Sequence, residues 1–299
     1  MNNKVSIIVS SCDKYKSVWK PFFTLFKEHW KDCPYQVYLN TETLTYNDDA
    51  LNIKTITCSQ KLSWSLRLKK ALRKIKSKYV IFLLEDFFFL EDVDQNEINR
   101  AVSIMEADSK ISVIDFEYVE RISAQPTAFN GYEEREKGAM YLLNCQAALW
   151  RRKDLIKFLS PYEDPWQFEI YGSARAALYR RKFLRRGKET PNPFVYNVSR
   201  ETGYGLYGGK WLLSNKEFFE KNRITVDFEE LGFTENKYVE LKCQPPKITF
   251  KEKVLYFLYG GGPVPRLNIW EQIVLLFRSP KQFAKMIKNK IKFLLKKTK

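Results

Sequence analysis

Apolar and polar positions alternate in blocks along the first 90 residues. Val5 to Ser10 is a short apolar run closed by Ser10-Ser11-Cys12-Asp13-Lys14, which predicts a buried strand ending in a polar turn. Ser17 to Trp30 carries Trp19, Phe22, Phe23 and Phe26 at helical spacing. Short strands follow at Gln36 to Leu39, ending in Asn40-Thr41-Glu42, and at Lys54 to Thr57. Ser63 then opens a second helix, with Trp64, Leu68, Ala71, Leu72 and Ile75 on one face and Arg67, Lys69, Lys70, Arg73 and Lys74 elsewhere. This helix leads into Tyr79-Val80-Ile81-Phe82-Leu83-Leu84, an unbroken apolar run that reads as a strand covered on both faces. Repeated strand–helix–strand units predict an α/β fold with a mostly parallel sheet flanked by helices.

The run at Tyr79 ends in two adjacent carboxylates, Glu85 and Asp86. Ligands of open α/β sheets bind at the carboxyl ends of the strands, so this pair stands where a metal or a phosphate-bearing substrate is met. A strand that leaves the core into a solvated acidic turn, with Glu91, Asp92 and Asp94, is the competing reading. No glycine-rich phosphate loop follows the first strand, which excludes a Walker A motif and a dinucleotide fingerprint.

The second half adds a segment from Met140 to Arg152 that leads into a helix. After it comes Pro161-Tyr162-Glu163-Asp164-Pro165-Trp166-Gln167-Phe168-Glu169, where Pro165 marks a helix start and Glu169 lies in its first turns. A carboxylate among aromatic neighbours is partly desolvated, which raises its basicity and suits a general base; an ion-paired or capping role beside core aromatics is the alternative. Gly203 to Trp211 holds four glycines with Lys210 and Trp211, either a phosphate-binding loop with an aromatic cover or an ordinary flexible loop. Tyr196 and Tyr204 are further candidates for stacking on sugar rings. Beyond it, 215–220 predicts a short helix and Ile224-Thr225-Val226 a strand, with breaks at Pro245-Pro246 and Gly260-Gly261-Gly262.

At 299 residues and 44% hydrophobic content the chain can bury a large core. Its five scattered cysteines and single histidine, His29, argue against a disulfide framework or a zinc site, and with no signal-peptide core or spanning segment they predict a cytosolic protein. The net charge of +16 is concentrated at one end: Arg278 to Lys299 contains nine basic residues and no acidic one. Phe283, Ile287, Ile291 and Leu294 form an apolar stripe among those lysines, the pattern of an amphipathic helix on an anionic membrane surface or of a helix docked on the main domain. Such a stripe is not what phosphate contacts need, and no nucleic-acid partner is expected.

The opening Val5-Ser6-Ile7-Ile8-Val9-Ser10-Ser11-Cys12-Asp13, the strand end Leu84-Glu85-Asp86-Phe87, and Gln146-Ala147-Ala148-Leu149-Trp150 with Pro165-Trp166-Gln167-Phe168-Glu169 together resemble GT-A fold nucleotide-sugar glycosyltransferases. The likeness is to the bacterial enzymes that build capsular and lipopolysaccharide glycans. It covers about the first 215 residues, leaving 216–265 as an extension and 266–299 as a basic helical tail. The resemblance implies a nucleotide-sugar donor site with Ser11, Asp13, Asn40, Arg67, Glu85, Asp86, Lys210 and Trp211. It implies an acceptor side with Gln146, Trp150 and Trp166, and Glu169 as the catalytic carboxylate. The acceptor would be a glycan or lipid-linked saccharide, and the enzyme peripheral on the inner face of the cell membrane. Such enzymes commonly carry Asp-x-Asp where this chain has Glu85-Asp86-Phe87. Mn²⁺ or Mg²⁺ held by Asp86 and Glu85 is therefore one expectation, and a metal-independent site using lysine or arginine is the other. Two non-catalytic readings remain beside it: a polyanion-binding module, and a membrane-surface assembly protein on a transferase-like fold.

Overall fold

The structure is a computed structural model that describes residues 4–48, 50–120, 122–137, 141–177, 179–196 and 205–234, with six further positions between 276 and 288. Nine strands form the central sheet, in the order β3-β2-β1-β4-β8-β5-β9-β7-β6. These are β1 (Val5–Ser10), β2 (Gln36–Thr41), β3 (Ile53–Thr57), β4 (Tyr79–Leu84), β5 (Ile111–Asp115), β6 (Ala124–Pro126), β7 (Tyr132–Arg135), β8 (Ala148–Arg151) and β9 (Lys182–Arg186). Following the pairings outward from β1, seven strands point one way and only β8 and β7 oppose them. This is the mostly parallel, helix-flanked α/β sheet that the GT-A resemblance implies.

Both faces are covered. On one side α1 (Lys16–His29) and α3 (Gln95–Ala107) pack with Phe22, Phe23, Phe26, Ile98 and Met105 against the odd positions of β1 and β4; on the other, Leu68, Ala71 and Leu72 of α2 (Trp64–Lys74) meet Ile8, Val80 and Phe82. Each of the buried phenylalanines of α1 stabilises the fold by about 1.5–3 kcal/mol through lost apolar exposure. Glu91, Asp92 and Asp94 lie in the irregular segment before α3, where Asp94 caps that helix and Asp92 meets His29 at 3.1 Å. Glu85 turns inward instead and is 6% exposed.

After β8 the chain forms α4 (Arg152–Phe158), then the short helices α5 (Pro165–Gln167) and α6 (Ser173–Ala176), joined by a π turn over Phe168–Gly172. A second sheet of three strands joins β10 (Leu206–Tyr207), β11 (Lys210–Leu212) and β12 (Phe233–Thr234), with α7 (Ser214–Lys221) between the last two. Trp211, Phe219 and Leu231 are buried in the same cluster as α1 and β4. The strand expected at Ile224-Thr225-Val226 is irregular; Ile224 and Val226 pack on the core from a loop, and β12 supplies the third strand. The breaks at 245–246 and 260–262 lie outside the described residues, as does most of the 266–299 tail. Of that tail, Leu276, Phe277, Pro280, Ala284, Ile287 and Lys288 are helical, and Leu276 and Phe277 are exposed. Among the described residues no helix is long and apolar enough to cross a membrane.

Candidate active site

The carboxyl ends of β1, β2 and β4 lie side by side, because Ser10 is in register with Asn40 on one side and Leu84 on the other. The residues just beyond these strands share one edge. Ser11 is buried there, accepting from Trp19 Nε1 at 2.7 Å. Asp13 clasps the loop after β2: its Oδ1 accepts from the backbone N–H groups of Glu42, Thr43 and Leu44 at 3.1, 3.1 and 3.2 Å, while Glu42 Oε2 accepts from Asp13 N at 3.0 Å. Burial pushes the Asp13 carboxyl up, but these bonds and the Thr43 hydroxyl outweigh it and bring the pKa down to about 2. Asn40 is buried within β2 and donates to the Ile56 carbonyl at 3.1 Å, so its amide ties β2 to β3.

Arg67, off the apolar stripe of α2, is nevertheless drawn into the protein. It is 7% exposed, pairs through Nη1 with Glu42 Oε1, and its Nε has no hydrogen-bond partner. Its charge acts on Cys12 and Glu85, which places it under the same edge.

Glu85 and Asp86 follow β4 directly. Burial raises the pKa of Glu85, and the charge of Asp86 raises it further; burial likewise raises Asp86 against the Leu206 N–H that donates to its Oδ2 at 3.2 Å. That last bond brings the β10–β11 hairpin onto the site. Gly205 makes the approach possible, since a Cβ there would lie 2.6 Å from the Asp86 carbonyl oxygen and from Phe88. The turn at Gly208 and Gly209, both at positive φ, carries the hairpin across to Lys14 and Tyr15. Lys210 is exposed on this hairpin. Trp211 is a correction: it is fully buried, stacked on Phe88 at 6.0 Å and edge-on to Phe219, so it anchors the hairpin and covers no ligand.

On the other side of β4, the antiparallel β8 begins at the same edge. Gln146 precedes it, accepting from the Tyr196 hydroxyl at 3.0 Å, and Tyr196 stacks on Phe87 at 4.5 Å; this buried stack leaves the Tyr196 ring no face for a sugar. Trp150 is the second correction. It pairs with Val80 near the start of β4, at the far end of the sheet, and is buried against Phe158. Trp166 is exposed at the start of α5.

Glu169 stands in the π turn. An extra residue per turn re-aims side chains, and such turns recur at functional sites. Asp164 fixes the start of the segment with a capping box to Gln167. Glu169 Oε1 accepts from Cys145 N at 2.9 Å. Burial raises its pKa to about 7 against that bond, with the charges of Asp115 and Asp164 adding to the rise. The ion-paired carboxylate of this loop is its neighbour Glu163, bound bidentately by Arg175 at 2.7 and 2.8 Å.

Sequence reasoning missed two carboxylates at this edge. Asp115 ends β5 and is 2% exposed; Glu117, two residues on, is raised to about 7 by burial and by Asp115. Both act on Tyr196, as does Asp86, so the acidic groups of β4 and β5 converge there. The signal was present: Ile111-Ser112-Val113-Ile114-Asp115-Phe116-Glu117 repeats the apolar run ending in acid that marks β4.

Among the described residues, no three His, Cys, Asp or Glu side chains are grouped so as to hold a metal ion. Glu85 and Asp86 are two adjacent carboxylates, and Asp86 Oδ2 already accepts from the Leu206 N–H, so a hard cation there would have to take most of its oxygens from phosphate and water.

No protein-family model matches the chain, and no curated protein matches it. Solved structures that resemble it include S. aureus TarS, at a TM-score of 0.41 and 13% identity over 62% of this chain and 36% of that one. TarS 1-349 in complex with UDP-GlcNAc matches at 0.39 and 16% identity, over 66% and 62%. The mannosyltransferase PcManGT from Pyrobaculum calidifontis, in complex with GDP-Man and Mn²⁺, matches at 0.39 and 12%, over 64% and 55%. The chain thus spans 36–62% of the length of these proteins.

Proposed function

We propose that this chain is a glycosyltransferase that moves a sugar from a nucleotide-diphosphate donor, a UDP-sugar in the simplest case, to a hydroxyl of a growing cell-surface glycan or lipid-linked acceptor. The observation that carries the reading is the pairing of two unlike carboxylate sites on one sheet edge. Glu85 and Asp86 crowd the end of β4, and Glu169, with a pKa near neutrality, faces the same edge from a π turn. A base of that pKa is deprotonated often enough at pH 7 to act and basic enough to take a proton.

In this reading Glu169 accepts the proton of the acceptor hydroxyl as that oxygen attacks the anomeric carbon and the bond to the donor diphosphate breaks. One displacement inverts the anomeric configuration. Mn²⁺ or Mg²⁺ held by Asp86 and Glu85 would neutralise the diphosphate; Lys210, exposed on the hairpin over the pair, offers the same charge without a metal. Trp166, exposed at the start of the segment that carries Glu169, offers the acceptor an aromatic face. The basic tail is the contact with an anionic membrane surface, placing the enzyme on the cytoplasmic side.

Thermal unfolding with a panel of nucleotides and nucleotide sugars, with and without Mn²⁺, tests the donor class. A ligand at about 100 times its dissociation constant stabilises the fold by roughly 2.7 kcal/mol. No stabilisation by any nucleotide sugar would return the chain to the non-catalytic readings. Glu169→Gln is expected to abolish transfer and leave donor stabilisation in place, and retained transfer would remove Glu169 from its role.

A further inference from the structure

Glu169 is held by the backbone of another element, and that element is itself held from a third. Cys145 N, which donates to Glu169, lies in the turn 144–146 before β8. Asn144 pins this turn at both ends: its Oδ1 accepts from Gln146 N at 3.0 Å, and its Nδ2 donates to Asp115 Oδ2. Asp115 is in turn fixed by Arg135 Nη1 at 2.9 Å on the same oxygen and by Glu117 N at 3.0 Å on the other. Arg135, Asp115 and Asn144 are 2%, 2% and 8% exposed. The end of β5 is also joined to the start of β8 by Phe116 N donating to the Ala147 carbonyl at 3.1 Å.

We propose that Asp115 is a positioning residue, which through the Asn144 amide fixes the turn whose Cys145 N–H orients the Glu169 carboxylate. This rests on Glu169 being the general base. A buried Arg135–Asp115 pair contributes little stability in itself, because desolvation offsets its attraction. A role in holding geometry accounts for an acid placed there better than a role in stability does. Because the bond to Glu169 comes from backbone, it follows the position of the turn, which Ser173 Oγ also steadies by accepting from Leu143 N at 2.8 Å, and a displacement of about 1 Å at a catalytic group costs about 10²-fold in rate.

The groups that face Glu169 are Asp115 from β5, Asp164 from the start of its own helical segment and the Cys145 thiol. Two substitutions separate the tie from the charge. Asn144→Ala removes the tie and keeps the Arg135–Asp115 pair; Glu169 then loses the donor that favours its charged form. Asp115→Asn keeps an oxygen for the Asn144 amide and removes a negative neighbour. The measurement is the pH titration of the Glu169 carboxyl by ¹³C NMR, assigned with Glu169→Gln, together with the pH profile of kcat. With Asn144→Ala, kcat is expected to fall about 10²-fold at unchanged donor KM, and the titration and the acid limb to move to higher pH. With Asp115→Asn both move to lower pH. A Glu169 titration unmoved by Asn144→Ala overturns the proposal, whether or not the second variant folds. Transfer retained in Glu169→Gln while the titration still moves would keep the tie and end the base assignment.

Discussion

At the scale of single residues, what matters is where each carboxylate can go for its charge. Asp13, Glu163 and Asp115 have partners that use their oxygens, and they serve as clasps. Glu169 is buried, with one backbone donor and two acidic neighbours, and burial above all leaves it basic. Its protonated form must be cleared before it accepts a proton, so kcat/KM is expected to rise with pH up to about 7 and then level, the free-enzyme limb that a pH–rate profile reports. Replacing Asp164 by Asn tests the cause, since asparagine caps a helix nearly as well but carries no charge. The limb is expected to move to lower pH with the fold intact; an unmoved limb would leave burial, not the Asp164 charge, as the cause of the raised pKa. Residue identity made the Pro165 helix start legible, and with it the place of Glu169 in the turns that follow. It failed for Trp150 and Trp211, because an indole fits a core and a sugar platform equally well and only the register of β8 and the packing of β11 decide between them.

At the scale of elements, the β10–β11 hairpin comes closest to the site at a residue that has no side chain of its own. Gly205 lies against Asp86 and Phe88, and Leu206 N–H reaches the Asp86 carboxylate from there. Gly205→Ala is expected to cost about 1–3 kcal/mol in chemical denaturation, because the Asp86 carbonyl is backbone and the Phe88 ring beside it is fully buried, so neither yields readily. It is also expected to weaken donor stabilisation, since the hairpin carries Lys210. Gly208 supplies the contrast: nothing lies within 4 Å of a Cβ there, and only its positive φ resists substitution. Gly208→Asn, a residue tolerant of that conformation, should cost far less. Equal losses at both positions would mean that the close approach to Asp86 is unimportant. The glycines were visible in the sequence; which of them was a contact and which a turn depended on a partner 120 residues away. A different cause explains why β1 to β4 were legible and β6, β7 and β9 were not. The former alternate with amphipathic helices. The latter are short and take their strand form from pairing with one another.

At the scale of the molecule, the sheet gathers acid at one edge while the chain as a whole carries +16. Glu85, Asp86, Glu117 and Glu169 all have folded pKa values above their ordinary ones, chiefly through burial. A carboxyl with a raised folded pKa binds its proton more tightly in the native state than in the unfolded one. Its contribution to stability is therefore complete below about pH 4, the unfolded range, and is lost as pH rises through the folded value. For Glu117 and Glu169 that loss runs to about pH 7. Asp13 acts in the opposite sense, but its window lies below about pH 4 and leaves the neutral range untouched. The unliganded protein is thus expected to lose melting temperature steadily between about pH 5 and pH 8, against the usual gain of a basic protein whose self-repulsion eases in that direction. Glu85→Gln removes one of the crowded charges and should flatten the slope, and a divalent cation that binds the pair should flatten it in the wild type alone. A melting temperature that rises across this range in the wild type, and equally in Glu85→Gln, would show that the edge is solvated and that its acids are not held as a cluster.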